Sequence, residues 1–250
     1  MIRFHPVFFF LVLFLSACSY LPEDLDKVNY DVIKEETGDY ILISSSDILP
    51  DNAFLFVPGG FVDPHVYLCW MTELVNRYPE IAIIQIKVPS NLAIVNMGKV
   101  GKVMSHFSEI QHWTIGGHSL GGVVSVFALS DKPDSFDGLV LMASWATESK
   151  SLAEWDGNVL SIYASNDGLA TTEEIAANKQ YLPEAVELTA ADSIVLSSNQ
   201  TCYYRINGGN HSGFGCYGFQ EGDNDADISR EEQQEEMISL MIKYFDALWE

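Results

Sequence analysis

Basic side chains are scarce in this sequence: 13 lysines and arginines face 35 aspartates and glutamates, a formal net charge of −22. So few cations give no electrostatic route to a nucleic-acid backbone or an anionic membrane surface, and neither is expected as a charge-driven partner. Cysteine is scarce too, with 4 in 250 residues. No C-x-x-C pair and no Cys/His cluster has zinc spacing, so no metal is expected. No internal repeat and no clear second domain boundary appear. Apolar residues are not lacking, at 48% hydrophobic and 12% aromatic. That excludes disorder for the chain as a whole and suits one large α/β domain.

The N-terminus stands apart. "MIRFHPVFFFLVLFLSAC" carries Arg3, an apolar run from Val7 to Leu15, and then small residues. It reads as a signal peptide over residues 1–17, too short to stay in a bilayer as a spanning helix. Its end, Leu15-Ser16-Ala17-Cys18, resembles the bacterial lipobox. That resemblance implies cleavage before Cys18, lipidation of its thiol and a membrane anchor of more than one acyl chain. An ordinary secretory signal with an incidental cysteine is the alternative. Ser19, where an inner-membrane retention signal often has aspartate, points to the outer membrane if the source is Gram-negative. Residues 18–38 are acidic and aperiodic and read as a tether, leaving 39–250 as the domain.

Within the domain, apolar runs alternate with helical patterns. "AFLFVPGG", "IAIIQIKV", "HWTIGG", "GLVLMAS", "NVLSIYAS" and "CYYRINGG" read as strands, with an edge strand near Tyr40 to Ile43. Runs that are continuous rather than alternating fit a parallel sheet covered on both faces. Helices are expected over about 64–78, 91–107, 120–130, 172–180 and 229–248, the last opened by a Ser229/Glu232 capping box. The expected fold is a doubly wound, mostly parallel α/β domain.

"HWTIGGHSLGGVVSVFAL" places a serine between two glycine pairs at a strand-to-helix switch. Gly117-His118-Ser119-Leu120-Gly121 fits G-x-S-x-G, the nucleophile elbow. The pentapeptide alone arises by chance about once in ten chains of this length, so its context decides. A serine hydroxyl needs a general base oriented by an acid, in the chain order Ser, Asp or Glu, His. His211, in "INGGNHSGFG", is the one histidine after Ser119. Asp167 follows the strand "LSIYAS" and is the candidate acid, with Glu148 its rival; Asp134 and Asp137 precede a strand and belong at the opposite edge. His118 reads as packing under the turn, and His65 as a residue that could line the pocket. For the oxyanion, backbone donors are expected from Leu120 and from the "FVPGGFVDP" loop, where Phe61 is first choice and Gly60 next.

These motifs resemble the α/β-hydrolases, in particular the compact bacterial group called alpha/beta hydrolase fold-5. The resemblance is carried by "FVPGGFVDPHVY", "WTIGGHSLGGVVS", "SNDGLATTEEIAANKQYLP" and the segment from "INGGNHSGFG" onward. It implies a Ser119-Asp167-His211 triad and a serine hydrolase of the esterase class, with no cofactor. Residues 184–201 look longer than the family's usual link before the last strand, an insertion that leaves the pocket rim open. Phe61, Trp145 and Phe214 are expected to wall a cleft for small or medium acyl esters, since short links leave little room for a lid. A non-catalytic binding lipoprotein and an acyltransferase with the same triad are the alternatives. Cys202 and Cys216 flank His211 and are a candidate disulfide pair, with Cys69 a buried thiol; the glycines at 208, 209, 213 and 215 could equally steer the two sulfurs apart, and the pairing stays open.

Overall fold

The computed structural model describes residues 20–93, 98–189 and 192–249, so the expected signal peptide and Cys18 lie outside the described residues. The strands are β1 (Ile33–Glu36), β2 (Tyr40–Ile43), β3 (Asn52–Val57), β4 (Ile81–Ile86), β5 (His112–His118), β6 (Gly138–Met142), β7 (Asn158–Ala164), β8 (Glu184–Glu187) and β9 (Gln200–Ile206). They form one sheet in the order β1-β2-β4-β3-β5-β6-β7-β9-β8. Every pairing from β4 through β8 is parallel, and β2 alone runs against the other strands, antiparallel to β1 on one side and to β4 on the other.

The apolar runs explain this arrangement. All residues of β4 and β6 are buried, so both faces of the sheet need cover. Helices α1 (Leu68–Arg77) and α5 (Arg230–Trp249) cover one face, over Phe54, Phe56 and Ile83. Helices α2 (Lys99–Met104), α3 (Leu120–Asp131) and α4 (Thr172–Asn178) cover the other, over Leu55, Ile84 and Ile115. The period of two along β3 sends Phe54 and Phe56 to one layer and Ala53, Leu55 and Val57 to the other. The α5 capping box forms: the Ser229 amide donates to the Glu232 carboxylate at 2.8 Å and the Glu232 amide to Ser229 Oγ at 3.2 Å.

Three sequence expectations change, and one open point is filled. The acidic segment is not a free tether from Tyr20 onward, because Tyr20 bridges Val62, Pro22 bridges Tyr217, and β1 pairs with β2. Tyr40–Ile43 is therefore second from the edge. The helix expected over 91–107 is reduced to α2, with residues 94–97 outside the description. The 184–201 insertion, whose relation to the pocket rim the sequence leaves open, adds the edge strand β8 beside β9.

The disulfide joins Cys69 to Cys216, with 6.5 Å between their Cα atoms, and Cys202 is a buried free thiol. Cys202 is committed to the core by its place inside β9, and four further strand residues carry the chain about 13 Å away before it turns. The Cys216 amide donates to the Val66 carbonyl at 2.6 Å, which sets its side chain against the first turn of α1.

Candidate active site

Strand β5 ends at His118 and α3 begins at Leu120, so the whole change of direction falls on Ser119. Its backbone sits at φ 54°, ψ −124°, a conformation costly for any side chain other than glycine's. The flanking glycines explain how the turn closes. A Cβ on Gly117 would lie 2.5 Å from the Val57 oxygen and from the Gly121 carbonyl carbon, and one on Gly121 would lie 2.1 Å from the Val57 oxygen. Strands β3 and β5 and the first turn of α3 thus meet backbone to backbone. The Ser119 amide donates to the Met142 carbonyl at 2.9 Å and ties the turn to β6. Because β4 and β5 lie on opposite sides of β3, α1 and α3 leave on opposite faces, and a crevice opens above the ends of β3 and β5.

His211 and Asp167 meet there. His211 is buried, and its Nδ1 lies 2.8 Å from Asp167 Oδ2 and 3.1 Å from Oδ1. Asp167 stands three residues past β7, where its Oδ1 also accepts the amides of Leu169 at 2.8 Å and Ala170 at 2.6 Å. A carboxylate held at both ends keeps the proton on Nδ1 and leaves Nε2 as the basic nitrogen. Nε2 is buried and has no hydrogen-bond partner among the described residues. Glu148 is exposed in a short 3-10 turn, and the carboxylate bonded to the imidazole is that of Asp167. Asp137 pairs with His112 at the strand-start edge, 3.1 Å apart.

Beneath His211 lies His118, with ring centroids 4.5 Å apart. The Tyr67 hydroxyl accepts the Gly59 amide at 3.0 Å and, in turn, donates to His118 Nδ1 at 3.0 Å. Burial, and then the nearby His211, hold His118 well below the ordinary histidine pKa, so it is neutral. Burial raises the Tyr67 phenol and keeps its proton on the oxygen. His65 does not line the crevice; it lies between Asp63 and Glu36, at 2.7 and 3.0 Å.

The backbone donors narrow to two. The Phe61 amide, the first choice from sequence, donates to the Asn91 carbonyl at 2.7 Å and is committed there. Phe61 sits at φ 60°, so the loop turns at that residue. Gly60 faces Leu120, where an added Cβ would come within 2.9 Å of Leu120 Cδ2. The Leu120 amide is in the first turn of α3 and has no intrahelical acceptor. Phe214 is fully buried against His118 and is part of the core, not a cleft wall, whereas Phe61 and Trp145 are half-buried.

Asp223 went unnoticed in the sequence because it stands in the acidic run "EGDNDAD" beside solvated neighbours. It is only 7% exposed. Its Oδ1 accepts the amides of Gly168 at 3.2 Å, His211 at 3.2 Å and Asn224 at 2.9 Å. Its Oδ2 accepts the Ser212 amide at 2.8 Å and the Ser212 hydroxyl at 3.1 Å. One acceptor-only group therefore joins the loop of Asp167 to the loop of His211. Gln233 fixes the same loop from α5, pairing with the amide and carbonyl of Asn210 at 3.0 and 2.9 Å.

Among the described residues, no three His, Cys, Asp or Glu side chains are grouped to hold a metal ion. A cavity of about 870 Å³ opens at the other end of the sheet, between Asp51, Asp134, Trp155 and Trp249. It contains none of the candidate residues, and in parallel sheets chemistry gathers at the carboxyl ends of the strands.

The family model described as the alpha/beta hydrolase family matches residues 53–235. No curated protein matches the sequence significantly. Among solved structures, Est1E from Butyrivibrio proteoclasticus is similar with a TM-score of 0.56 at 11% identity, covering 86% of this chain and 98% of its own. MGS-MChE2, an alpha/beta hydrolase from the metagenome of lagoon sediments of Mar Chica, Morocco, has a TM-score of 0.54 at 14% identity, covering 86% and 97%. A predicted CIB-like hydrolase from Thermoplasma acidophilum has a TM-score of 0.57 at 12% identity, covering 82% and 91%.

Proposed function

Because the chain belongs to the alpha/beta hydrolase family, we propose that it is a serine ester hydrolase with Ser119 as nucleophile, His211 as base and Asp167 as the acid that orients it. The observation that carries this reading is the buried His211–Asp167 pair, 2.8 Å apart, whose Nε2 has no hydrogen-bond partner among the described residues. Ser119 Oγ attacks the ester carbonyl while its proton passes to His211 Nε2. The oxyanion gathers at the amides of Leu120 and Gly60, beside the positive end of α3. As the tetrahedral intermediate collapses, the Nε2 proton goes to the departing alcohol and an acyl-serine remains. Water then attacks the acyl carbonyl, giving one proton to Nε2. Collapse releases the acid and returns that proton to Ser119. Asp167 keeps the Nδ1 proton in place throughout and stabilises the imidazolium.

Ferulic acid is bound in a structure of Est1E, and a carboxylic acid of that size supports an ester of a small or medium acyl group as substrate. With this activity we place a lipid anchor at Cys18, supported by the lipobox resemblance, and an outer-membrane location in a Gram-negative source. Labelling with a fluorophosphonate probe tests the chemistry without knowledge of the substrate. The parent reacts and Ser119→Ala does not; equal labelling of the two removes Ser119 from the mechanism. Cys18→Ala tests the anchor: the protein should leave the membrane fraction or stay uncleaved, and parent-like maturation and fractionation refute lipidation.

A further inference from the structure

We infer that the proposed hydrolase, with Cys18 lipidated as proposed above, takes its ester from the membrane surface that holds it, so that its substrate is an amphiphile with the scissile ester at the headgroup level. The described chain starts at the mouth of the site. The Tyr20 amide donates to the Phe61 carbonyl at 2.9 Å, and the Tyr20 carbonyl accepts the Asp63 amide at 2.9 Å. The Tyr20 hydroxyl accepts the Glu221 amide at 3.2 Å, and the Glu23 amide donates to the Cys216 carbonyl at 2.7 Å. Residues 20–23 are therefore a strap bonded at once to the loop that offers the Gly60 amide and to the loop that carries His211.

Covalent geometry does the rest. Two trans peptide units separate Cys18 from Tyr20 and span at most about 7.6 Å between Cα atoms. A chain of this length folds to a body about 45 Å across, so an anchor on so short a lead holds the strap side of the molecule, and the crevice rim with it, at the bilayer. Three of the six exposed large apolar side chains among the described residues belong to the strap side: Leu21 at 67%, Leu25 at 41% and Phe219 at 62%. Their neighbours Glu23, Asp24, Asp26 and Glu221 are acidic. Contact on this side is thus made by acyl chains and apolar side chains, and anionic lipids oppose it. A substrate in the same leaflet meets the site at a high effective concentration, and a substrate in bulk water does not.

The test uses full-length lipidated protein in phosphatidylcholine vesicles. Resorufin butyrate is supplied either free in solution or tethered to a phosphatidylethanolamine headgroup, so the scissile ester is the same in both. A spacer of about twenty Gly/Ser residues, with a mean reach of about 25 Å, is inserted between Ser19 and Tyr20. The expected result is a several-fold loss of turnover on the tethered ester with the free ester unchanged, and a similar selective loss when phosphatidylserine is added to the vesicles. Equal turnover of the tethered ester by parent and spacer variant overturns the inference, as does a mature protein without lipid on Cys18. Failure of the hydrolase reading is distinguishable, because the parent then cleaves neither ester and takes no fluorophosphonate label.

Discussion

His118 and His211 lie against each other with ring centroids 4.5 Å apart and their planes tilted by 45°, and His118 is the one held neutral. It is fully buried, and the Tyr67 hydroxyl donates to its Nδ1. A second cation beside His211 would oppose the imidazolium that the proposed ester cleavage forms, so a neutral ring in that place favours the proposed chemistry.

Acid stability follows from that ring. The unfolded chain protonates residue 118 as pH falls through 6.5, whereas the folded chain resists to a much lower pH. The unfolded state then binds the extra proton, so stability declines as pH drops below that value, with a slope of up to about 1.4 kcal/mol per pH unit. Asp39, lowered to about 2 by Lys102 and Lys99, acts in a separate window; its contribution is present above 3.8 and is lost towards about 2. Urea unfolding at successive pH values between about 7 and 5 should show a shallower slope for His118→Asn than for the parent. An unchanged slope would mean that His118 does not resist protonation.

Ser119 should be as costly to stability as it is necessary to activity. Ser119→Gly relaxes the backbone at φ 54° and should stabilise the fold by about 1 kcal/mol, after the extra chain entropy of glycine is subtracted. Ser119→Ala retains the strain and should lose turnover by several orders of magnitude with little change in thermal midpoint. Calorimetry on both variants decides the first point, and a Ser119→Gly protein less stable than the parent contradicts it.

Two carboxylates hold the base, in different ways. Asp167→Asn should lower kcat by about 10⁴, as loss of the correct tautomer does in such triads, while Glu148→Gln should leave it unchanged. Asp223→Asn turns an amide N–H towards donors on one side, and should lower kcat more than it raises KM. The downfield proton resonance of the His211–Asp167 hydrogen bond should broaden in this variant. If kcat and that resonance stay as in the parent, Asp223 is a structural residue only.

The Cys69–Cys216 bridge closes a loop across 147 positions and ties α1 to the segment after His211. Its removal should cost about 2–5 kcal/mol. Peptide mapping without reduction should find this pair linked and Cys202 free. Burial pushes the Cys202 thiol up to about 11, so it should resist alkylation in the folded protein. A Cys202–Cys216 peptide in the oxidised protein would contradict the fold around the base.

Much of this protein was legible before any coordinates. Apolar runs long enough for buried strands, glycines on both sides of Ser119, an aspartate just past a strand and one later histidine are local patterns. Local patterns are written in composition and spacing. Strands β1, "IKEE", and β8, "EAVE", were not legible, because their side chains are mostly exposed. Such segments become strands only because β2 and β9 offer them an edge.

What tertiary structure decided is a matter of which groups meet. The order Ser, Asp, His allowed a triad to be named, but only folding put Asp167 rather than Glu148 against the imidazole. Phe61 and Gly60 are neighbours in sequence, and the sign of one φ angle gives the Phe61 amide to Asn91. Cys69 lies far from Cys216 along the chain and reaches it because the segment after β9 returns to α1. Asp223 looks like the other acids in its run until two loops close around it. Sequence determines what each segment can become by itself, through burial periodicity and backbone preference. Which distant donors and acceptors pair is decided by the packed whole, because a buried polar group must find its partner wherever the fold brings one.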